Sequence, residues 1–263
     1  MAIVKGLEQF QRHFAGFEDE YVLIGGVACH LWFQENALRF RATKDLDVVL
    51  VSEALTAEFV QRFWLFIKAG RYAKVERSNH EHKYYRFFHA LEPDFPHMIE
   101  LFARLPDGLD IDSGQTAVPL PMDEDVSSLS AILLDEEYYH LIREHRHVVD
   151  NLPLIAVEGL IPLKAKAWLD LSKRRENGEA IDSDNVAKHR SDVFRLALLL
   201  QDEMRLTLPD AVTQDLQQFL AAFPIDSPQW EGIRASLKTV VNPAPSAAEL
   251  LKAITNTFGL SVG

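Results

Sequence analysis

The chain has 263 residues, of which 48% are hydrophobic, and its 39 acidic residues outnumber its 27 basic residues, for a formal net charge of −12. This length and apolar content are sufficient for a full hydrophobic core and one to two domains. The negative charge opposes binding to nucleic acid by the molecule as a whole, so any such contact must be local. Cys29 is the single cysteine, which excludes an internal disulfide.

The sequence contains no apolar run long enough to span a membrane. Its N-terminus, MAIVKGLEQFQRHF, predicts an amphipathic helix rather than a signal peptide. We therefore expect a cytoplasmic protein without a membrane partner.

The first informative unit is a strand, a glycine turn and a helix. The apolar run YVLI stops at Gly25 and Gly26, and VACHLWFQ then carries apolar residues at helical spacing. Two glycines let a ligand approach the backbone, and the start of a helix presents unpaired N–H groups that suit a phosphate. Taken alone, Gly-Gly after a strand is also common as a simple turn.

The second unit is the segment RATKDLDVVLV, which predicts a strand with two acids at its start. Asp45 and Asp47 are two residues apart, so both side chains project from one face of the strand. A shared divalent cation, Mg²⁺ or Mn²⁺, would relieve their repulsion and bind the phosphate oxygens of a nucleotide. Asp-x-Asp on a solvated strand edge is the alternative, although VVLV is typical of a strand buried on both faces.

The two units together resemble the nucleotidyltransferase superfamily with the polymerase-beta-like fold, and within it the AbiEii-type toxins of bacterial toxin–antitoxin systems. The resemblance is carried by Gly25, Gly26, Arg41, Thr43, Asp45 and Asp47. In the wider superfamily the second glycine is often serine and the gap to the first aspartate is shorter, so the longer gap here favours the AbiEii branch.

A third carboxylate on a later strand belongs to the family pattern. KYYRFFHAL and HMIELFAR predict two strands separated by the turn EPDFP, and Glu100 is the interior acid of the second strand. A carboxylate between apolar strand residues requires a partner or a metal, unless that face of the strand is solvated.

Two helices farther along resemble later AbiEii-type motifs. The first carries Lys164 with Ala167, and the second carries Lys188 with Asp192, although His189 stands where the family has an acid. Lys188 and Asp192 are four residues apart and can pair on one helix face, and Lys164 adjoins an apolar stripe. A lysine near a triphosphate would neutralise charge on the leaving pyrophosphate. The alternatives are a solvated Lys164 or Lys166 and a weak surface pair.

The predicted fold class is α+β, with a small mixed sheet of the nucleotidyltransferase fold flanked by helices and followed by a helical C-terminal half. We predict a nucleotidyltransferase-like domain over residues 1–122 and a mainly helical domain over residues 123–263. The substrate cleft is expected between them, with Lys164 and Asp192 facing Asp45 and Asp47. The loop-rich segment LPDGLDIDSGQTAVPLP adds at most a short strand. After it, nearly the whole chain is expected to be helical.

The functional hypothesis is a metal-dependent nucleotidyltransferase that transfers a nucleoside monophosphate from a triphosphate to an acceptor hydroxyl. Its predicted catalytic residues are Asp45, Asp47, Glu100, Lys164 and Asp192; its metal ligands are Asp45, Asp47 and Glu100; and its nucleotide-binding residues are Gly25, Gly26, Arg41, Thr43, Lys44 and Lys188. The resemblance also implies RNA as an acceptor and a cognate antitoxin as a partner. The alternatives are an inactive nucleotide-binding or interaction protein and an enzyme that acts on a small cationic acceptor such as an aminoglycoside.

Other polar clusters give weaker signals. Local RNA contacts are expected either beside the acids, at Arg39, Arg41 and Lys44, or at the run Lys173 to Arg175, which is more typical of a solvated helix end. The histidine pairs lack zinc-site spacing, so zinc is not expected.

Overall fold

The computed structural model describes residues 4–41, 43, 45–77, 83–103, 118–119, 132 and 135–260. The helices in these ranges are α1 (Leu7–His13), α2 (Gly25–Glu35), α3 (Ala57–Gly70), α4 (Glu136–Glu144), α5 (Val157–Glu176), α6 (Ser183–Leu196), α7 (Asp210–Ala221), α8 (Gln229–Leu237) and α9 (Ala247–Phe258), with a 3-10 turn at Ala197–Leu199. The strands are β1 (Tyr21–Ile24), β2 (Asp45–Leu50), β3 (Tyr72–Arg77), β4 (Lys83–Ala90), β5 (Met98–Ala103), β6 (Val118–Pro119), β7 (Arg146–Val149) and β8 (Leu152–Ile155).

The strands form one mixed sheet in the order β6-β3-β4-β5-β2-β1-β8-β7. Strand β2 lies near the centre, antiparallel to β1 and parallel to β5. The prediction of an α+β protein with a mixed sheet and a helix-rich C-terminal half is therefore confirmed.

The chain divides into two compact units, each assembled from separated segments. The sheet unit comprises residues 1–31, 41–123 and 142–155, and the helical unit comprises residues 32–40, 124–141 and 156–263. The predicted domain division at residues 122 and 123 concerns which parts fold independently, and it stays a prediction.

Strand β2 begins at Asp45 and alternates at first between partly exposed and buried positions. Asp45 and Asp47 are half-buried and Leu46 is buried, after which Val48, Val49 and Leu50 are all buried. Two-sided burial of the strand end follows from its central place in the sheet. The alternation of side chains along the start of β2 therefore places both acids on one face of the sheet.

The expectation of a nearly all-helical second half is wrong for residues 146–155, where β7 and β8 form a hairpin. Its two-residue turn is Asp150-Asn151, with φ angles of 49° and 58°, the left-handed values that a tight hairpin turn requires. Strand β8 is buried throughout and runs parallel to β1, with Leu154 opposite Leu23. The hairpin is short, and the apolar run of β8 continues directly into the apolar pattern of α5, which hides it in the sequence.

An aromatic core holds α1 and α3 together within the sheet unit. Phe10, Phe14, Tyr21, Phe59 and Phe66 are almost fully buried, and the Phe10 and Phe14 ring centroids are 4.4 Å apart. Rings at these distances contribute attraction beyond the area they bury. Strand β1, which contributes Tyr21 to this core, ends at Ile24, directly before Gly25.

The helical unit has a separate aromatic core. Phe194 of α6 packs on Phe219, Phe223 and Trp230, with centroid distances of 5.7, 5.5 and 4.7 Å. These contacts fix α6 and therefore the position of Asp192. Within the described ranges, no helix combines the length and apolar character needed to cross a membrane.

Candidate active site

The two acids of β2 lie beside the acid of β5. Strands β2 and β5 are parallel, and their register places Asp45 opposite Met98 and Asp47 opposite Glu100. Residues opposite each other on neighbouring strands share a face of the sheet. The structure therefore brings Asp45, Asp47 and Glu100 onto one face.

Gly25 provides the space that the Asp47 carboxylate occupies. Gly25 has a φ of 65°, and a Cβ atom built on it would lie 1.7 Å from Oδ2 of Asp47. Only glycine combines that backbone conformation with so close a neighbour. The glycine turn and the second aspartate, which are 22 positions apart in the sequence, are in direct contact.

Gly26 likewise leaves space that the Thr43 side chain occupies. A Cβ atom on Gly26 would lie 2.6 Å from Oγ1 and 3.1 Å from Cβ of Thr43. The two glycines are thus explained by the side chains packed against them. The predicted contact of Gly25 and Gly26 with a phosphate stays a prediction.

The start of α2 also affects the electrostatics of the site. Helix α2 begins at Gly25, so the Asp47 carboxylate lies against the first residue of the helix. The positive end of the helix dipole stabilises a negative group at that position. An anion near this point would share that environment with Asp47 and would require a cation to offset their repulsion.

Glu100 pairs with an arginine that the sequence interpretation did not identify. Arg86 of β4 is opposite Glu100 in the antiparallel β4–β5 pair, and its Nε and Nη2 atoms each lie 2.9 Å from Oε1 of Glu100. The two side chains are only 11% and 13% exposed. An arginine within the aromatic run YYRFF was the available signal, but its partner follows only from the register.

The donors on this face suit a hard divalent cation. Carboxylate oxygens are the preferred ligands of Mg²⁺ and Mn²⁺, and the i, i+2 spacing of Asp45 and Asp47 directs two of them to one side. Across the described part of the chain, no three His, Cys, Asp or Glu side chains gather into a group that could hold one metal ion. The residues therefore fit a cation held by two protein carboxylates and completed by substrate oxygens or water.

The predicted residues of the helical unit meet in a buried ion cluster. Asp192 of α6 is fully buried, and its Oδ2 lies 3.7 Å from Nζ of Lys164 on α5. Its Oδ1 accepts a hydrogen bond of 3.2 Å from Nη1 of Arg195, one turn farther along α6. Lys164 is 7% exposed, so the alternative of a solvated lysine is wrong. The i, i+3 spacing of Asp192 and Arg195 was the signal by which Arg195 could have been found.

Lys166 belongs to a different network of the helical unit. Its Nζ lies 2.6 Å from Oδ2 of Asp215, which also accepts a hydrogen bond of 3.0 Å from the Tyr138 hydroxyl. Burial, and next the charge of Asp215, raise the pKa of Tyr138 far above its usual value. This tyrosine remains protonated and serves as a hydrogen-bond donor rather than as a base.

The remaining predicted residues have varied placements. Arg41 and Thr43 precede β2 and are partly exposed, and Lys188 lies on α6 one turn before Asp192. Lys44 lies outside the described residues. In the basic run at the end of α5, Arg174 pairs with Asp170 at 3.8 Å and with Glu179 at 2.8 Å, and an RNA contact at this run stays a prediction.

Comparisons with known proteins identify one similar structure. No family model and no curated protein matches the chain. Among solved structures, that of an antigenic nucleotidyltransferase-like protein from Paracoccidioides brasiliensis is similar, at 15% sequence identity and a TM-score of 0.42 over 89% of this chain and 90% of that one. A likeness at this TM-score establishes neither the fold nor the chemistry of this chain.

Proposed function

We propose that the protein is a metal-dependent nucleotidyltransferase that moves a nucleoside monophosphate from a nucleoside triphosphate to an acceptor hydroxyl. The observation that supports this most directly is the contact of Gly25 with Asp47. It joins the glycine turn and the paired acids, the two halves of the sequence pattern, into one local site.

In the proposed reaction, the acceptor oxygen bonds to the α-phosphorus while the bond from that phosphorus to the bridging oxygen breaks. Pyrophosphate leaves, and the hydroxyl proton passes to a base or to solvent. Mg²⁺ or Mn²⁺, when bound, would offset charge on the phosphate oxygens and lower the pKa of a bound hydroxyl. Because the reaction requires positioning and charge neutralisation, it needs no covalent intermediate with the protein.

The residues of the sheet unit have distinct parts in this proposal. Asp45 and Asp47 hold the cation, and Gly25 and the start of α2 hold Asp47 in place. Thr43, which lies two residues before β2, packs on Gly26. The strand and the helix are both anchored in packed cores, so the two acids need little reorganisation when substrate binds.

In this proposal, the role of Lys164 depends on its ion pair with Asp192. Buried Asp192 fixes Lys164 by an ion pair, which makes Asp192 a positioning residue for the lysine rather than a base for the acceptor. The resemblance assigns Lys164 the neutralisation of the leaving pyrophosphate, and that assignment stays a prediction. Lys164→Ala would test it, with a loss expected in kcat rather than in nucleotide affinity.

The proposal includes the finer assignment to the AbiEii toxin type, with RNA as an acceptor and a cognate antitoxin. The net charge of −12 requires such an acceptor to be held by local contacts. If the protein is a toxin, induced expression of the wild type arrests growth and expression of Asp47→Asn does not. Arrest by both proteins would contradict a toxicity that depends on transfer.

Nucleotide titration by calorimetry, with and without Mg²⁺, tests the central proposal. The wild type is compared with the Asp45→Asn, Asp47→Asn double variant and with Asp94→Asn, a control that removes an exposed acid from the β4–β5 turn. We expect Mg²⁺-dependent binding that is lost in the double variant and retained in the control, together with transfer of label from a triphosphate to pooled RNA. A folded wild type that binds no nucleotide would overturn the proposal, and binding without transfer to RNA or aminoglycosides would favour the inactive binding protein.

A further inference from the structure

A row of side chains crosses three strands next to the paired acids. Asp45 of β2 is opposite Met98 of β5, and Met98 is opposite Phe88 of β4. Residues opposite one another on neighbouring strands share a face of the sheet, so Met98 and Phe88 lie on the face of Asp45 and Asp47. Both apolar side chains are half-buried. The acids are therefore bordered, on the side of β5 and β4, by a partly exposed apolar surface.

Two histidines extend this surface at the end of the sheet. The ring centroids of Phe88 and His89 are 4.9 Å apart, and those of His89 and His97 are 5.6 Å apart. Successive side chains of a regular strand point to opposite faces, but His89 has a φ of 59°, a left-handed value that interrupts this alternation. Both histidines are exposed. Phe88, His89 and His97 thus form a ring cluster whose two imidazoles face solvent.

The ring cluster and the glycine turn lie on opposite sides of the paired acids. In the sheet, β1 is on one side of β2, and β5 followed by β4 is on the other. Gly25 directly follows β1, and His97 directly precedes β5. Because β1 is antiparallel and β5 parallel to β2, both positions lie at the end of the sheet where β2 begins. The acids at the start of β2 are therefore between the two features.

This arrangement suits the two sides of a transfer reaction. The attacking and leaving oxygens of such a reaction lie roughly in line, on opposite sides of the phosphorus. The proposed function places the triphosphate at the glycine turn, so the acceptor hydroxyl approaches from the side of β5 and β4. Strand β4 lies two strand spacings from β2, roughly 10 Å, a span that the sugar and base of a nucleoside can cover. The ring cluster then lies where the base of the acceptor is expected.

We propose that the ring cluster binds the base of the acceptor's terminal nucleoside by stacking, and so directs its hydroxyl toward the cation at Asp45 and Asp47. Phenylalanine and histidine rings both hold unpaired bases of single-stranded RNA in this way. Stacking requires no basic side chain, which suits a local contact on a chain with a net charge of −12. The inference rests on the proposed function, and it narrows the acceptor to the single-stranded end of a polynucleotide.

The test measures the acceptor and the triphosphate separately. The KM for pooled RNA comes from the transfer assay, and the Kd of the nucleoside triphosphate with Mg²⁺ comes from calorimetry. The variants are His97→Ala, His97→Phe and the double variant of His89→Asn with His97→Ala, in which asparagine tolerates the left-handed backbone. His147→Ala is the matched control, because His147 is an exposed histidine of the same sheet on β7, beyond β1 and β8. A thermal melt of each variant establishes that it is folded.

The stacking argument predicts a selective loss. We expect the double variant to raise the KM for pooled RNA about tenfold and to leave the Kd of the triphosphate within about twofold of wild type. The salt dependence of this KM should not change, because no phosphate contact is removed. His97→Phe keeps a ring and should retain the KM within about threefold of wild type. His147→Ala should change none of these quantities.

Other results would overturn the inference in distinguishable ways. If the double variant weakens triphosphate binding and leaves the KM for RNA unchanged, the rings hold the incoming base. If neither quantity changes, the rings only pack the turn between β4 and β5, and if His97→Phe is as impaired as His97→Ala, the contact is not stacking. Binding of triphosphate without transfer to RNA also overturns the inference, while the nucleotide site stands. A folded wild type that binds no triphosphate overturns the proposed function and the inference with it.

His97→Ala keeps the test decisive if the double variant does not fold. His97 is exposed, so the loss of its ring leaves no buried cavity. This single variant should raise the KM for RNA in the same direction, without an effect on triphosphate binding. An unchanged KM in folded His97→Ala would overturn the part assigned to the exposed rings.

Discussion

The acids of the sheet unit and the acid of the helical unit differ in what surrounds them. Asp45 and Asp47 are half-buried on a strand, next to a glycine that leaves room for one of them. Asp192 is fully buried and lies between the cations of Lys164 and Arg195. A partly exposed acid retains the ability to bind a ligand, and a buried, doubly paired acid fixes other side chains. The surroundings of the two sets of acids therefore suit them to different parts in the proposed function, although the sequence resemblance includes both.

The positively charged partners differ in the same way. In the sheet unit, Arg86 pairs with Glu100, on the same face of the sheet as Asp45 and Asp47. In the helical unit, both cations converge on a single acid. Loss of an acidic charge should therefore reduce mainly activity in the sheet unit and mainly stability in the helical unit.

The largest expected effect is on stability, from Asp192→Asn. Removal of this charge leaves Lys164 and Arg195 without their buried counterion, which costs about 3–5 kcal/mol of the free energy of unfolding. Denaturant unfolding measures the loss. The matched control is Asp170→Asn, which removes an acid 3.8 Å from Arg174 at a partly exposed i, i+4 position and should cost at most about 0.5 kcal/mol. Equal losses in the two variants would contradict the distinction between the units.

Asp47→Asn should reduce activity and leave stability nearly unchanged, in contrast to Asp192→Asn. We expect kcat/KM for nucleotide transfer to fall on the order of 10²-fold or more, about 2.7 kcal/mol, because a ligand of the proposed cation is lost. Stability should change by less than about 1 kcal/mol, since the amide has the same shape and the repulsion from Asp45 decreases. Steady-state transfer and a thermal melt are measured on the same sample. Asp94→Asn should alter neither quantity, and retained transfer by Asp47→Asn would remove Asp47 from the site.

Gly25→Ala tests the link between the glycine turn and the acid. The substitution forces an L-residue to a φ of 65° and places a methyl group where Oδ2 of Asp47 lies. The backbone alone costs about 1–2 kcal/mol, and displacement of Asp47 should weaken Mg²⁺-dependent nucleotide binding as well. Gly178→Ala is the control, because its φ of 90° imposes a similar strain with no atom within 4 Å of the new methyl group. If both variants lose stability and neither loses binding, the close contact has no bearing on the ligand.

The smallest expected effect comes from the capping box of α9, which contacts neither set of acids. Ser246→Ala removes a side-chain acceptor for the N–H of Glu249 and should cost about 1 kcal/mol, without any change in transfer. Hydrogen bonds from the Ser246 hydroxyl and backbone N–H lower the pKa of Glu249. Its contribution is therefore full above the usual carboxyl pKa and is lost as the pH falls through the lowered value. Urea unfolding of wild type and Glu249→Gln at neutral and acidic pH measures this loss, and a difference that grows toward low pH would contradict it.

Local patterns in the sequence were sufficient to predict the strand, glycine turn, helix and strand from β1 to β2. The apolar run, the two glycines and the polar–apolar change along β2 each depend on neighbours in the chain, and periodicity reports such neighbours directly. The strands β4 and β5 and the long helices α3, α5 and α6 follow from the same kind of signal. The placement of Asp45 and Asp47 on one face required only the alternation of a strand.

Contacts between distant segments could not be found in this way. Arg86 meets Glu100 because of the register of an antiparallel pair, and Asp192 meets Lys164 because α5 and α6 pack together. The hairpin of β7 and β8 joins the sheet beside β1, far from it in the sequence. None of these partners on a distant segment is marked by a local pattern, since register and helix packing are set by the burial of whole faces.

By itself, the sequence determined the mixed class of the fold, the glycine turn before α2 and the pair of acids at the start of β2. The tertiary structure alone decided that Gly25 makes room for Asp47, that Arg86 holds Glu100, and that Asp192 is buried between two cations. The reason is physical. Spacing along one element determines which side chains share a face, whereas the partner of a charged group depends on which other element buries its apolar face against that one.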